Sequence, residues 1–199
     1  MIKDTSMEDA QQVAEIKAKL WKLVDNLSVE AISQNEYTLI LFCLLCQREG
    51  AINGLESIDP ELYEGGLQEQ INNYISKSSI EYKILSEEYV PIIDKLSFEV
   101  DLEILYTLRD LDQGILINNF HEIFEDLLTK FSNLLGRGSM EFFLPAEISR
   151  LVIALAELHE DSKIYNPFAG LASLGVFLPQ NVQYIGQELF QYTWIIGLM

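Results

Sequence analysis

The feature that most constrains the fold is a change of pattern at the short glycine-containing joint Gly136-Arg137-Gly138-Ser139. Before this joint, apolar residues recur at helical spacing and no strand-like alternation stands out, so residues 1–136 are predicted to form a helical domain. The second helix is apolar nearly all round and is expected at the centre of a bundle. The predicted helices are Met7–Leu27, Tyr37–Gln47, Leu67–Ile75, Ile80–Ser86, Val90–Leu96 and Ile115–Leu135.

After the joint, residues 137–199 predict a second domain in which short apolar strands alternate with helices. This order indicates the first part of an α/β Rossmann-like fold, whose ligands lie at the carboxyl ends of the strands. Two strands make no stable sheet alone, so we expect the chain to stop within this domain and to leave apolar edges exposed. The predicted elements are helices Glu147–Leu158, Ala172–Phe177 and Leu189–Met199, and strands Lys163–Pro167 and Val182–Gln187.

The formal net charge of −18 limits the functions open to the chain. A surface this acidic does not hold DNA by itself, because neutralising phosphates requires lysine and arginine. Acidity of this kind suits solubility, repulsion of nucleic acid or docking to a basic partner. Six acids and two bases lie after residue 140, so most of the excess negative charge falls in the predicted helical domain.

Cysteine usage and short apolar runs indicate the compartment. The two cysteines, Cys43 and Cys46, give no disulfide framework, which favours a reducing cytoplasm. The first ten residues are polar and acidic, unlike a signal peptide, and the longest apolar run, Leu39–Cys46, is too short to span a bilayer. We therefore expect a cytoplasmic protein with no membrane partner.

A turn and an acid after the joint suggest a ligand. Asn166-Pro167-Phe168-Ala169-Gly170 and the three residues Leu171-Ala172-Ser173 would connect the first strand to a helix. Small residues there let the backbone approach a ligand, and a helix start offers free N–H groups. Glu188 follows the turn glycine by 18 residues, where an acid is placed to bind the hydroxyls of a ribose. By themselves these residues leave a nucleoside site open, because turns rich in glycine and alanine are common.

Several segments resemble N6-adenine DNA methyltransferases. Phe142-Phe143-Leu144-Pro145 and the helix after it are similar to an aromatic pair, Thr-Pro and helix in that family. Asn166–Gly170 looks like the family's Asp-Pro-Ala-Cys-Gly turn, and Gly186-Gln187-Glu188 looks like its ribose-binding acid. Near the amino end, Leu20-Trp21-Lys22 and the apolar helix that begins at Tyr37 resemble the helical domain of methyltransferase subunits in type I restriction-modification systems.

The resemblance implies a subunit that transfers a methyl group from S-adenosylmethionine to the amino nitrogen of adenine in DNA. The fold implied is a mainly α domain followed by the start of an S-adenosylmethionine-dependent methyltransferase fold. The partners implied are DNA in the assembled complex, a specificity subunit and a restriction subunit. From the exposed apolar edges we also expect the chain either to form a homodimer or to be partly disordered at its C-terminus. The cofactor-binding residues implied are Phe142, Phe143, Pro145, Asn166, Pro167, Phe168, Ala169, Gly170, Ala172 and Glu188.

Departures from the family pattern bear on activity. Asn166 lacks the negative charge that would favour the cofactor's amino group, and Leu144 and Leu171 also differ from the family's residues. Ala172 stands where glycine is usual in the family. Alanine adds little conformational free energy there unless the backbone needs a positive φ. The Asn/Asp-Pro-Pro-aromatic motif that holds a flipped adenine does not occur before Met199, so we assign no catalytic residue and expect this stretch alone to be inactive. The alternative interpretation is a non-catalytic, methyltransferase-like acidic interaction module or DNA mimic.

Other residues with chemical potential are expected to be structural. Cys43-x-x-Cys46 lies in an apolar helix without a second ligand pair, so we expect core cysteines and no metal site. His121 and His159 lie beside acids and are expected at the surface. Trp21 is expected to anchor the packing of two helices.

Overall fold

The structure is a computed structural model that describes residues 7–29, 34–50, 66–75, 80–135, 144–159, 161–179 and 181–199. The chain divides into two compact units, Met1–Gly136 and Arg137–Met199. The described part of the first unit is helical, and the second combines helices with a two-stranded sheet. None of the described helices is both long enough and apolar enough to cross a membrane.

The first unit packs around one central helix. Its described helices are α1 Met7–Val29, α2 Gln34–Arg48, α3 Gly66–Ile75, α4 Ile80–Ile93, α5 Phe98–Arg109 and α6 Gln113–Leu135. Every side chain from Thr38 to Gln47 in α2 is buried, and α2 packs against α4, α5 and α6. This confirms the prediction that the helix without a polar face lies at the centre of the bundle.

Helix α4 corrects the prediction of two separate helices in this stretch. Pro91 has no N–H to donate, yet the helix runs through it. Continuity is favoured because Leu85, Tyr89 and Ile93 recur every four residues on one face and are all buried. The Tyr89 ring also stacks on Phe42 of α2, with 4.9 Å between ring centroids.

Helix α5 lies where the sequence pattern predicts no element. It begins after Ser97, whose side-chain oxygen accepts a hydrogen bond from the Val100 N–H at 3.4 Å. Acids in its first turn interact favourably with the positive end of the helix dipole. The helix is held in place by the burial of Val100, Ile104, Leu105 and Leu108.

An acid of α5 also holds the start of α3. Both carboxylate oxygens of Asp101 lie 3.2 Å from the Leu67 nitrogen and accept its N–H. Gly66 precedes this contact with φ +54°, and a Cβ built there would overlap the Asp101 carboxylate. Burial raises the pKa of the Asp101 carboxyl above its ordinary value, while the bond from Leu67 acts in the opposite direction.

Trp21 joins α1 to α6, as expected of a packing anchor. Its Nε1 donates a hydrogen bond to Asp126 at 2.5 Å, and the Lys130 Nζ lies 4.6 Å from its ring centroid. Lys17 adds an ion pair to Glu122 at 2.8 Å along the same pair of helices. The ring itself is 42% exposed, so it packs at the edge of the core.

The cysteines lie in the core. Cys43 and Cys46 are buried and unbonded, and burial raises the pKa of both thiols, so they stay protonated. His121 pairs with Glu125 at 3.3 Å within α6. Among the described residues, no group of three or more potential ligand side chains is arranged to hold a metal ion.

The second unit contains a parallel pair of strands. Its described elements are α7 Ala146–Leu155, β1 Lys163–Asn166, β2 Gln183–Gly186 and α8 Gln191–Gly197. Lys163 lies opposite Gln183 and Asn166 lies opposite Gly186, so both strands end at the same edge. Both predicted strands are confirmed, each within a residue or so of its expected bounds.

The connection from β1 to β2 corrects the prediction of a helix over Ala172–Phe177. The described residues there form turns and one short 3₁₀ turn, Gly175–Phe177. Ala172 has φ +55°, which a right-handed helix cannot accommodate, and its carbonyl accepts the Gly175 N–H at 2.7 Å. The helix start expected at this position is therefore replaced by a turn.

Candidate functional site

The site lies where the two parallel strands end. The Gln187 N–H donates to the Asn166 carbonyl at 2.9 Å, and the Ala169 N–H donates to the Gln187 carbonyl at 2.8 Å. These two bonds fix the turn after β1 against the end of β2. Gly186 permits the close approach, because a Cβ there would come within 2.9 Å of the Ala169 Cβ.

Glu188 fastens the same turn through its side chain. Its Oε2 accepts the N–H of Gly170 at 2.9 Å, and Gly170 is buried with φ +56°. Its Oε1 accepts the N–H groups of Leu189 at 2.8 Å and Phe190 at 2.9 Å. A carboxylate offers about four acceptor positions, so these three bonds leave room for roughly one more donor.

Asn166 is held by the protein through both ends of its amide. Its Oδ1 accepts the Phe168 N–H at 3.1 Å, the hydrogen bond that typically stabilises an Asx turn. Its Nδ2 donates to the Tyr184 hydroxyl at 3.2 Å. On the neighbouring residues, the Tyr165 hydroxyl donates to Gln187 Oε1 at 2.6 Å.

These groups border a cavity of about 660 Å³. This volume falls within the range of about 300–1,000 Å³ that small-molecule sites occupy. Apolar side chains stand at its edge, with Phe168 and Leu189 each 88% exposed. The lining residues are Leu144, Asn166, Pro167, Phe168, Ala169, Gly170, Ser173, Leu174, Gln187, Glu188, Leu189 and Phe190.

The structure brings most of the sequence-predicted site residues together. The six that line this cavity are Asn166, Pro167, Phe168, Ala169, Gly170 and Glu188. Ala172 lines a smaller cavity of about 170 Å³, which it shares with Tyr184 and Trp194. Pro145 comes directly before α7 and is not among the lining residues, and Phe142 and Phe143 lie outside the described residues.

Sequence reasoning missed several lining residues and one supporting residue. The lining residues missed are Leu144, Ser173, Leu174, Gln187, Leu189 and Phe190, all close in sequence to predicted ones. Tyr184 was missed although its hydroxyl holds Asn166. The alternation of side chains along β2 could have indicated it, because Tyr184 and Gly186 point to the same face.

Part of the chain matches a family model of known proteins. Residues 116–199 match the family model described as N-6 DNA Methylase, and this segment contains the whole site. The chain is also similar to methylase subunits of the type I restriction enzymes StySPI from Salmonella potsdam and StySJI from Salmonella typhimurium strain LT2. The predicted resemblance to type I methyltransferase subunits of the N6-adenine family is thereby confirmed.

The extent of these matches is limited. Each relative is 23% identical over 191 residues, covering 87% of this chain and 36% of the relative. The chain therefore spans about a third of the length of these curated relatives. No solved structure matches it.

Proposed function

We propose that the second unit binds S-adenosylmethionine in the 660 Å³ cavity, as part of an adenine-specific DNA methyltransferase of a type I restriction-modification system. One observation carries the proposal. The hydrogen bond from Gly170 to Glu188 joins the Asn166–Gly170 turn to this acid at the carboxyl ends of two parallel strands. Ligands of open parallel sheets occupy this edge. The proposal further takes β1 and β2 as the start of a Rossmann-like sheet.

The residues present fit a nucleoside. Gly170 has no Cβ to obstruct a ligand at the turn, and Glu188 keeps about one acceptor position for a ribose hydroxyl. A second hydroxyl would bind if the carboxylate released the N–H of Leu189 or Phe190 and kept that of Gly170. The apolar edge residues Phe168, Leu189 and Phe190 suit the faces of a purine ring.

The roles proposed for this chain are binding and orientation. When bound, S-adenosylmethionine would supply an electrophilic methyl group. The turn and Glu188 would fix the nucleoside part at the strand ends, and the apolar edge would limit access of water. We assign no transfer step to these 199 residues, because they contain no Asn/Asp-Pro-Pro-aromatic sequence.

The proposal also includes partners. Both relatives are named as subunits of restriction enzymes, which supports assembly with a specificity subunit and a restriction subunit. A net charge of −18 argues that DNA contact depends on those partners, since phosphate binding needs basic groups.

Calorimetric titration of the chain with S-adenosylmethionine tests the nucleoside site. We expect binding, and we expect Glu188→Gln to weaken it by about tenfold or more, because a hydrogen bond to a charged group contributes about 1.5–3 kcal/mol. Glu147→Gln is the matched control, since Glu147 is an exposed acid of α7 that does not line the cavity.

A second titration separates ligand contact from damage to the turn. With the unaltered chain, 2′,3′-dideoxyadenosine should bind about tenfold more weakly than adenosine, because it lacks the hydroxyls that Glu188 would accept. Glu188→Gln should abolish most of that difference. Absence of binding by any nucleoside would overturn the proposal and favour the acidic interaction module.

A further inference from the structure

Tyr184 of β2 reaches across to the turn after β1. Its hydroxyl accepts a hydrogen bond from Asn166 Nδ2 at 3.2 Å. Asn166 lies opposite Gly186 in the strand register, so Tyr184 is its diagonal neighbour on the same face of the sheet, within reach of a long side chain. Tyr184 borders the smaller cavity and is not among the residues that line the larger one, whereas Asn166 is.

The surroundings of the Tyr184 ring determine where its hydroxyl lies. A Cβ built at Gly186 would come within 3.1 Å of the ring carbon Cε1, and a Cβ built at Gly175 would come within 3.5 Å of Cδ1. The two glycines therefore leave room for the ring between β2 and the connection that precedes it. The hydroxyl has its place before any ligand enters.

The Asn166 amide passes this position on to the turn. Its Oδ1 accepts the Phe168 N–H at 3.1 Å, while its Nδ2 donates to Tyr184. The side chain of Phe168 is 88% exposed, so its packing does not hold the backbone at this point. Without the Tyr184 hydroxyl, the amide could rotate about its Cβ–Cγ bond and offer the Phe168 N–H a less well-aligned acceptor.

We propose that Tyr184 is a positioning residue of the nucleoside site. Its hydroxyl fixes the Asn166 amide, and the amide fixes the turn that borders the larger cavity. A turn that already has its binding conformation loses less entropy when a ligand binds. This inference rests on the proposed function, because it takes the larger cavity as the nucleoside site.

Tyr184→Phe removes the hydroxyl and keeps the ring. In calorimetric titration with adenosine, this variant should bind about fivefold more weakly than the unaltered chain, the effect expected from one neutral hydrogen bond. Tyr106→Phe is the matched control, since Tyr106 is a half-buried tyrosine of α5 in the first unit, and it should leave the affinity unchanged. Equal affinity of Tyr184→Phe and the unaltered chain would overturn the inference and leave the proposed function standing.

A double-mutant cycle with Asn166→Ala tests whether Tyr184 acts through Asn166. In the Asn166→Ala background the hydroxyl has no amide to hold, so adding Tyr184→Phe should change the affinity for adenosine by less than about twofold. A further fivefold loss would show that Tyr184 acts independently of Asn166 and would overturn the inference.

Hydrogen exchange gives a readout that needs no ligand. Tyr184→Phe should accelerate exchange of the Phe168 N–H by about threefold or more, whereas the Gly170 N–H, which Glu188 holds, should exchange at an unchanged rate. Unchanged exchange at Phe168, or equal acceleration at both amides, would overturn the inference. Failure of the unaltered chain to bind adenosine would overturn the proposed function itself, and the inference with it.

Discussion

Ala172 is one of the residues at which backbone conformation and side chain conflict. Its φ of +55° lies in the left-handed region, where a Cβ costs roughly 1–2 kcal/mol. The conformation turns the chain away from a helix after Leu171 and lets the Gly175 N–H reach the Ala172 carbonyl. The exception stated for alanine at this position therefore applies, because the backbone has a positive φ.

Replacement of Ala172 by glycine should stabilise the second unit. Glycine removes the backbone strain of the folded chain, but it also increases the conformational entropy of the unfolded chain. The first effect should be the larger, so the free energy of unfolding should rise by about 0.5–1 kcal/mol. Urea unfolding followed by Trp194 fluorescence would measure the change in a Trp21→Phe background, where Trp194 is the single tryptophan. A fall in stability would show that the packing of the Ala172 Cβ near Gly197 outweighs the backbone strain.

At the scale of elements, the contact between α5 and α3 combines a helix cap with a partly buried acid. Asp101→Ala should lower the free energy of unfolding by about 1 kcal/mol, because the Leu67 N–H loses its acceptor. Asp101→Asn keeps one acceptor oxygen and serves as the control. Urea unfolding at neutral pH would compare them, and equal stability of the two variants would contradict the capping role.

The same acid predicts a dependence on pH. The pKa of Asp101 is raised in the folded chain, so protonation favours the folded state. Its stabilising effect is complete below the ordinary value of 3.8 and is lost as the pH rises through the raised folded pKa. We expect the unaltered chain to gain stability relative to Asp101→Asn on acidification across that window, as measured by urea unfolding. A relative loss on acidification would contradict the role of burial.

Elements that bury a continuous face were predictable from sequence, whereas those decided by tertiary contacts were not. The periodic apolar residues of α1, the continuous apolar run of α2 and the two short apolar strands predicted the correct elements. The prediction of two helices in place of α4 was wrong, because sequence alone does not show that Tyr89 and Ile93 bury the same face of one helix. The spacing between Gly170 and Glu188 in the sequence predicted that the turn and the acid belong to one site. The hydrogen bond between them depends on the register of β1 and β2, which sequence spacing does not determine.

At the scale of the whole molecule, the two units bury their apolar side chains to different degrees. Ten of the thirteen exposed large apolar side chains among the described residues belong to the second, smaller unit. Helix α7 shows this clearly, because four apolar residues form an exposed stripe and Ser149 is its one buried residue. The stripe consists of Ile148, Leu151, Val152 and Leu155. An exposed stripe of this size favours association.

We therefore expect the chain to self-associate as its concentration rises, consistent with the predicted homodimer. The double substitution Leu151→Lys and Leu155→Lys should reduce association in sedimentation velocity without lowering the free energy of unfolding, because Leu155 is 74% exposed. Ile117→Lys is the control, since Ile117 is an apolar residue of α6 in the first unit that is about as exposed as Leu151. A chain that stays monomeric at all concentrations would contradict the expectation.

The Glu188 carboxylate has a consequence for the kinetics of any ligand that enters the larger cavity. Because it already holds the Gly170 amide, the turn has its final shape before an encounter takes place. Little backbone entropy then remains to be lost on association, and no slow rearrangement has to precede it. Differences in affinity among ligands would accordingly arise in their residence times.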